Sequence, residues 1–510
     1  MMSLRHNYYF SSFFWTTLAR ILTALFGFFT TPLLLALYGK ANYGILILAI
    51  SCNGYMHLLD LGMNIGAVKF FSQWRVENKD NLIQRVANTN QTFYLVIAAI
   101  NIIALLALAI WGAPLFNITS DQFTTLRECL LIIALFCAFS WETTPFQQLL
   151  IADKQMAFTS QMQCVTGAFK LILVGLTIWL RLPLTTYFLI LTALTAILIV
   201  PYASKCRRDH LIASLRPRAY WADFRSVFTF SLAIFTLSLF QTTATQSRPI
   251  ILGIFAADAA STVADFNIIQ VFPNFIIMLA GTFAGIFLPQ TSRLVAQKDQ
   301  PAIEQFAYKW TIFTTIFACL LCFPFMLGAK EALSAYVGPS FVNLSVWLVV
   351  WVVLMLLQVH STPCNALILA YGKTKLLVYM SAGACVISIG INAALARTFG
   401  AGSAVIGYTV YILINLIGYY AFFYKQLLRL SNWKIIFSFL APTLVAILAM
   451  FPLLFLQIDR TTLSFIPFDR VAYLALLALK GTIWAILFAV FLLLFHIIRI
   501  KEKRILTLYG

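Results

Sequence analysis

Along most of this chain, apolar residues run on for twenty positions or more before a polar cluster interrupts them. Runs of that length cross a hydrocarbon layer of about 30 Å as helices, which satisfy every backbone amide within their own segment. A membrane β-barrel would show short segments of alternating polarity instead. The pattern predicts fourteen spans, at residues 12–37, 43–72, 84–112, 125–151, 158–180, 183–203, 227–254, 264–290, 308–329, 343–371, 376–398, 403–424, 435–457 and 471–497. The longest polar connection, roughly 204–226, follows the sixth span.

Composition agrees with this reading. Of 510 residues, 61% are hydrophobic and 10% charged, against roughly 45–50% and about 25% in soluble globular proteins. The net charge of +18 would suit a nucleic-acid partner, but the basic residues lie mainly between spans and form no compact basic domain, so none is expected. Counting each connection together with the span ends beside it, the set holding Arg5, Arg75, Lys154 and the 204–226 stretch carries 23 of the 35 Lys and Arg residues; the alternate set carries 7. The positive-inside rule therefore puts both termini in the cytoplasm. The nine cysteines lie mostly inside apolar runs and read as packing residues. Cys319 and Cys322 form a mid-span CxxC without a second pair, so no metal site is expected. The first apolar run is too long for a cleavable signal, contains Arg20, and has no small-residue cleavage site.

The chain also reads as two halves. Residues 144–152 are Thr-Pro-Phe-Gln-Gln-Leu-Leu-Ile-Ala and residues 362–370 are Thr-Pro-Cys-Asn-Ala-Leu-Ile-Leu-Ala. Six spans separate them, so the copies share one orientation, as in parallel repeats about an axis along the membrane normal. The expected organisation is a six-helix bundle at 1–204, a basic cytoplasmic linker at 205–226, a second six-helix bundle at 227–424, and two additional helices with a cytoplasmic tail at 425–510.

With that layout, several short motifs fall into a familiar order: Leu37-Tyr38-Gly39, Tyr43-Gly44, Leu59-Asp60-Leu61-Gly62, Pro289 with Ser292-Arg293, Ala370-Tyr371-Gly372-Lys373, and Phe399-Gly400-Ala401-Gly402-Ser403-Ala404. Together they resemble the polysaccharide transporters of the MOP flippase superfamily, the Wzx-type flippases. That resemblance implies an all-α, MATE-like fold in the bacterial inner membrane. It also implies transport of polyprenyl-diphosphate-linked oligosaccharide from the cytoplasmic to the periplasmic leaflet. Its implied partners are that lipid-linked substrate, membrane lipid, and assembly proteins such as a polysaccharide polymerase. It implies no cofactor beyond a coupling ion, H+ or Na+.

An ionisable side chain inside a bilayer costs about 2.5–3.5 kcal/mol on insertion scales, so each one needs a reason to be there. Arg20 in span one, Lys170 in span five and Arg248 in span seven suit a diphosphate, whose lost hydration charge-assisted donors would replace. The plainer alternative is that each snorkels or pairs with a carboxylate. Asp60, Glu142 and His360 are candidates for proton or ion coupling; Glu142 and His360 hold equivalent places in the two copies, just ahead of a Thr-Pro pair that loosens the helix. Their structural alternative is a hydrogen bond or ion pair between helices. Gln241, Thr242, Thr245 and Gln246 make span seven unusually polar, suiting either a glycan path or contacts with neighbouring helices. Lys69 and Lys480 read as a snorkelling and a peripheral residue.

Three functions fit to different degrees. A cation-coupled multidrug or metabolite antiporter would be expected to line its cavity with carboxylates, whereas the first span carries Arg20. A glycan polymerase or glycosyltransferase needs a large outer loop or an acidic catalytic pair, and the largest outward connection is only about 14 residues. A non-enzymatic flippase accommodates the basic set best, and no phosphate-binding loop for ATP is present. The orientation is checked by reporter fusions. One placed after residue 215 is expected in the cytoplasm and one near residue 465 in the periplasm; the reverse at either site means the span count between them is off by an odd number.

Overall fold

The computed structural model describes residues 2–212, 217–372, 375–455, 462, 466–501 and 504–507. Arg216, Lys373, Arg460 and Lys503, counted above among the connecting basic residues, lie outside them. The described elements are helices throughout, apart from a short antiparallel pair in the tail, Ile498–Lys501 with Arg504–Thr507. The protein is an all-α integral membrane protein. Twelve helices are long and apolar enough to cross a membrane, judged by length and composition among the described residues. One of these, Phe14–Asp60, has 47 residues. At about 1.5 Å per residue it is roughly twice the hydrocarbon thickness. It breaks at Gly39, whose φ of 79° and ψ of 167° are non-helical, a region that glycine enters without a Cβ penalty.

The chain divides into two compact units, 1–264 and 265–510. The first holds α1 (Met2–Met56), a 3₁₀ turn (His57–Asp60), α2 (Met63–Val76), α3 (Asp80–Trp111), α4 (Ser120–Ala152), α5 (Met156–Leu180), α6 (Leu184–Ala196), α7 (Ile199–Arg208), α8 (Trp221–Gln246) and α9 (Arg248–Phe255). The unit boundary falls within α10 (Ala259–Gln297). The second unit continues with α11 (Gln300–Leu327), α12 (Ala329–Tyr336), a 3₁₀ turn (Pro339–Leu344), α13 (Ser345–Val359) and α14 (Thr362–Tyr371). It ends with α15 (Lys375–Phe399), α16 (Ala401–Gly418), a π-helical turn (Tyr419–Leu427), α17 (Asn432–Phe455) and α18 (Asp469–Leu494).

Local chemistry explains where these elements start and stop. α4 opens on a capping box: Thr119 Oγ1 accepts from the Gln122 amide at 3.4 Å, and Gln122 Oε1 accepts from the Thr119 amide at 3.0 Å. Tryptophans at helix ends, Trp111, Trp179, Trp221 and Trp433, are all exposed, as an aromatic belt at the bilayer interface requires. Large apolar side chains in mid-helix, such as Ile103, Leu135 and Ile172, are exposed as well. In water such a surface would drive aggregation; here it faces lipid.

The two Thr-Pro copies behave differently. α4 runs unbroken through Pro145, whereas the second copy divides α13 from α14 at His360 and Ser361. Ser361 Oγ donates to the Gln358 carbonyl at 2.8 Å and Thr362 Oγ1 to the Val359 carbonyl at 2.7 Å. Thr362 thereby serves the Val359 carbonyl, whose helical partner would be Pro363 and has no N–H, and Ser361 occupies the Gln358 carbonyl at the break.

With no hydrophobic drive between helices in lipid, close packing and buried polar pairs hold the units together. Gly62 and Gly66 face α8: a Cβ on Gly62 would lie 2.6 Å from the Ser231 carbonyl oxygen, and one on Gly66 only 1.9 Å from Ser231 Oγ. In the second unit α17 and α18, expected as an addition outside the bundle, pack on α11 and on each other. Trp484 stacks on Phe323 at 5.1 Å and donates to the Ala446 carbonyl at 3.0 Å. Lys480 is paired with Glu331 of α12 at 2.6 Å, a partner the sequence does not advertise.

At one end of the first unit, among connections the charge count assigns to the cytoplasm, Arg75 joins Asp80 at 2.8 Å and Asp153 at 3.2 Å. Lys205 meets Asp209 at 2.8 Å, and Gln155 bridges Asp153 and Asp209. Hydrogen bonds from Lys205 first, then Gln155, hold the Asp209 carboxyl below the usual carboxylate range.

Two substitutions test this packing by the thermal midpoint in detergent. Gly62→Ala, at φ 74° and against the Ser231 backbone, is expected to cost at least about 1–2 kcal/mol. Gly175→Ala, inside α5 with nothing within 4 Å, is expected to raise the midpoint slightly, by about 0.4–1 kcal/mol of helix preference. Lys480→Met alone leaves a half-buried Glu331 carboxylate unpaired and is expected to cost less than the about 3–5 kcal/mol of a fully buried pair; adding Glu331→Leu is expected to restore most of the loss.

Candidate functional site

The first unit holds a partly open cavity of about 590 Å³. Its walls come from α1 (Phe26, Ile50, Asn53), the 3₁₀ turn (His57, Asp60), α2 (Asn64), α4 from Ile133 to Gln147, Lys170 of α5, and α6 with Leu198. A volume of this size lies in the ordinary range of small-molecule sites, roughly 300–1,000 Å³. Its lining mixes aromatic and aliphatic side chains with the amides and hydroxyls of Asn53, Asn64, Ser140, Thr143, Thr144, Gln147, Thr192 and Thr195.

The turn that carries Asp60 exists because α1 cannot continue. Leu61 takes φ 50° and Gly62 φ 74°, two successive left-handed positions that end the helix and restart it as α2. This exposes the Asp60 carboxylate to the cavity while fixing it by two bonds. Tyr94 Oη donates to Oδ1 at 2.5 Å, and the Asn64 amide donates to Oδ2 at 3.3 Å. Behind Tyr94 the order continues: Gln148 Nε2 donates to Tyr94 Oη at 2.9 Å, and Asn90 Nδ2 donates to Gln148 Oε1 at 2.6 Å. Tyr94, Gln148 and Asn90 are fully buried between α3 and α4. Each donor in this chain points toward Asp60, so the whole file stabilises a negative charge at its end. Asn101 donates to Asn53 of the cavity wall at 3.3 Å, and Trp141 stacks on Tyr94 at 5.9 Å with the His57 ring 5.1 Å from it.

Lys170 is the other charged group of the wall, half-buried, and among the described residues no carboxylate lies in salt-bridge range of it. The structure thus brings two of the sequence candidates, Lys170 and Asp60, into one cavity. Glu142 stands beside it, buried between the lining residues Trp141 and Thr143; its side-chain neighbour is Gln91 on α3, and its Oε1 has no hydrogen-bond partner. Arg20 and Arg248 are not among the lining residues. Arg20 is exposed on α1. Arg248 opens α9, only 3% exposed, with Nε donating to the Ala244 carbonyl at 2.9 Å.

His360 lies in the second unit. Its Nε2 is 3.3 Å from Tyr420 Oη, and its ring packs 4.4 Å from that of Phe439. On α8, Gln241 and Gln246 are exposed and Thr242 half-buried, while Thr245 Oγ1 donates to the carbonyls of its own helix at Gln241 and Thr242. A cavity of about 580 Å³ in the second unit, between Gly372, Lys375 and the π-helical turn, offers a single charged side chain and few other polar groups.

Tyr94, Gln148, Asn90, Asn53 and His57 were not singled out from the sequence. Their trace was there: amides at Asn90 and Gln148 inside apolar runs cost a few kcal/mol each unless something bonds them.

The comparisons agree with this architecture. A family model described as polysaccharide biosynthesis protein matches residues 10–295. No curated protein matches the chain. Among solved structures, the fold is similar to that of the lipid II flippase MurJ in an inward closed conformation, with a TM-score of 0.68 at 11% identity, covering 94% of this chain and 98% of that one. It is similar to a multidrug resistance MATE family transporter of the MOP superfamily in an inward-facing conformation, with a TM-score of 0.61 at 12% identity, covering 79% and 92%. It also matches the MATE multidrug transporter DinF-BH, with a TM-score of 0.57 at 17% identity, covering 80% and 93%. At these identities the likeness is one of fold. More than half of the chain matches a single family model, and the chain belongs to the polysaccharide biosynthesis protein family, with a fold similar to those of MurJ and the MATE transporters.

Proposed function

We propose that this protein is a flippase that carries a polyprenyl-diphosphate-linked oligosaccharide from the cytoplasmic to the periplasmic leaflet of the bacterial inner membrane, by alternating access, for cell-surface polysaccharide assembly. Both termini are assigned to the cytoplasm on the charge asymmetry of the connections. The observation that carries the reading is the cavity of the first unit: its lining, from Phe26 to Leu198, falls wholly inside the matched family segment and combines a half-buried lysine with many uncharged hydrogen-bonding groups. A diphosphate needs the cation, because the water it loses has to be replaced by charge-assisted donors. A sugar offers hydroxyls, which Asn, Gln, Ser and Thr side chains can both donate to and accept from. Arg20 and Arg248 remain candidates for further anion contacts along the path.

Asp60 in the same wall gives the antiporter reading its one specific support, since a carboxylate suits a cationic cargo. Deletion in the native host separates the two. A flippase leaves lipid-linked intermediates accumulated on the inner leaflet; an antiporter leaves only altered sensitivity to exported compounds.

Lys170→Gln is expected to lower translocation in proteoliposomes by about tenfold or more, the loss of one charge-assisted contact of about 1.5–3 kcal/mol. Arg20→Gln and Arg248→Gln are expected to lower it as well, with Lys at either position restoring only part, because the planar fork is lost. Protein in the membrane is quantified alongside flux. Normal transport by all three Gln variants would move the anion path away from these residues.

A further inference from the structure

Building on the flippase reading, we propose that the cavity of the first unit holds a sugar of the cargo and selects a neutral one, with Asp60 and the α4 side chains Ser140, Thr144 and Gln147 forming the sugar subsite. Ser140, Thr144 and Gln147 stand four and three positions apart, so they share one face of α4, and all three line the cavity. Among the described residues, none bonds to their side-chain hydroxyls or carboxamide. A polar face on a membrane helix is costly without partners. Here the partners have to come from what fills the cavity.

The remaining wall is more committed. Thr143, Thr192 and Thr195 each donate the hydroxyl to a carbonyl of their own helix, at 2.8, 2.8 and 3.2 Å, and offer a ligand only lone pairs. Asp60 also offers acceptors alone. One of its oxygens receives Tyr94 Oη and the other the Asn64 amide, which leaves about two of the roughly four lone-pair sites of a carboxylate. The file from Asn90 through Gln148 to Tyr94 fixes the carboxylate from behind, so it stays in the wall.

The two ends of a glycosyl diphosphate divide in the same way. The diphosphate only accepts, which suits Lys170. A sugar hydroxyl donates and accepts, so it can use Asp60, the committed threonines and the free groups of α4 alike. A uronic acid would set a second anion against Asp60 in a cavity of low effective dielectric. With Lys170 taken by the diphosphate, no other lysine or arginine of the lining offsets that charge. The acidic sugar is turned away by repulsion and by the loss of the hydroxyl's hydrogen bonds together.

The test measures binding to the full-length protein in nanodiscs at pH 8, where a histidine such as His57 carries little charge. The probes are geranylgeranyl diphosphate diesters bearing glucose, glucuronic acid, glucuronamide or an ethyl group. The glucuronamide matches glucuronic acid in size without its charge, and the ethyl diester keeps the diphosphate charge without a sugar. Wild type is expected to bind the glucosyl diester about tenfold more tightly than the ethyl one, the worth of about one or two hydrogen bonds. It is expected to bind the glucuronosyl diester at least about tenfold more weakly than the glucuronamide. Thr144→Val with Gln147→Leu is expected to bring the glucosyl diester down toward the ethyl one and to leave the ethyl affinity unchanged. Asp60→Asn is expected to close the gap between glucuronosyl and glucuronamide.

Equal affinity of wild type for the glucosyl and ethyl diesters overturns the sugar subsite and leaves the flippase reading standing. A glucuronosyl diester bound as tightly as the glucuronamide overturns the selection by charge, and a gap that survives Asp60→Asn overturns the role of Asp60. The wild-type comparisons decide the matter if a variant does not accumulate. No binding of any diester by wild type overturns the flippase reading and the subsite with it.

Discussion

Water is absent from the hydrocarbon layer, and most of this structure answers to that absence. A backbone amide or a side-chain carboxamide inside the bilayer has only the protein to bond with, and an unpaired group costs several kcal/mol. The chain meets the backbone demand with long helices and with serine and threonine hydroxyls at their breaks, as Ser361 and Thr362 do between α13 and α14. It meets the side-chain demand with short files of polar groups, of which Asn90, Gln148, Tyr94 and Asp60 form the most ordered.

The same constraint links stability to function in the first unit. The file that satisfies Asn90 and Gln148 also delivers a fixed carboxylate to the cavity wall, so one set of hydrogen bonds joins α3 to α4 and sets the field that a ligand meets. The glycine turn at Leu61 and Gly62 is part of that arrangement. It ends α1 where Asp60 faces the cavity, and the missing Cβ lets α8 approach to Ser231. A larger residue at Gly62 would disturb the packing and the position of Asp60 together.

The second unit is built differently. Its half-buried ion pair, Lys480 with Glu331, and the stacked Phe323 and Trp484 tie α18 to α11 and α12. His360 sits among aromatic rings, with its Nε2 3.3 Å from Tyr420 Oη. The two Thr-Pro copies, alike in sequence, therefore stand in different surroundings: Glu142 beside a polar cavity and in a continuous helix, His360 at a break and in an apolar pocket.

Much of this was legible in the residues alone. Length and apolarity of the runs determined the all-helical membrane class, because only a helix satisfies its own backbone in lipid. The gap between the expected spans 12–37 and 43–72 coincides with the kink at Gly39, whereas the turn at Leu61 and Gly62 falls inside the expected span 43–72 and was not read from the apolar pattern. Charge cost marked Lys170 and Asp60 as residues needing a reason. The partners that supply those reasons were decided by tertiary structure. Tyr94 reaches Asp60 across 34 positions, Gln148 reaches Tyr94 across 54, and Glu331 reaches Lys480 across 149. Helix spacing predicts contacts three or four residues apart along one helix and says nothing of which face meets which neighbour. That choice is made by packing, by small residues and local breaks acting together, and it alone brought Lys170 and Asp60 into one cavity while leaving Arg20 and Arg248 outside its wall.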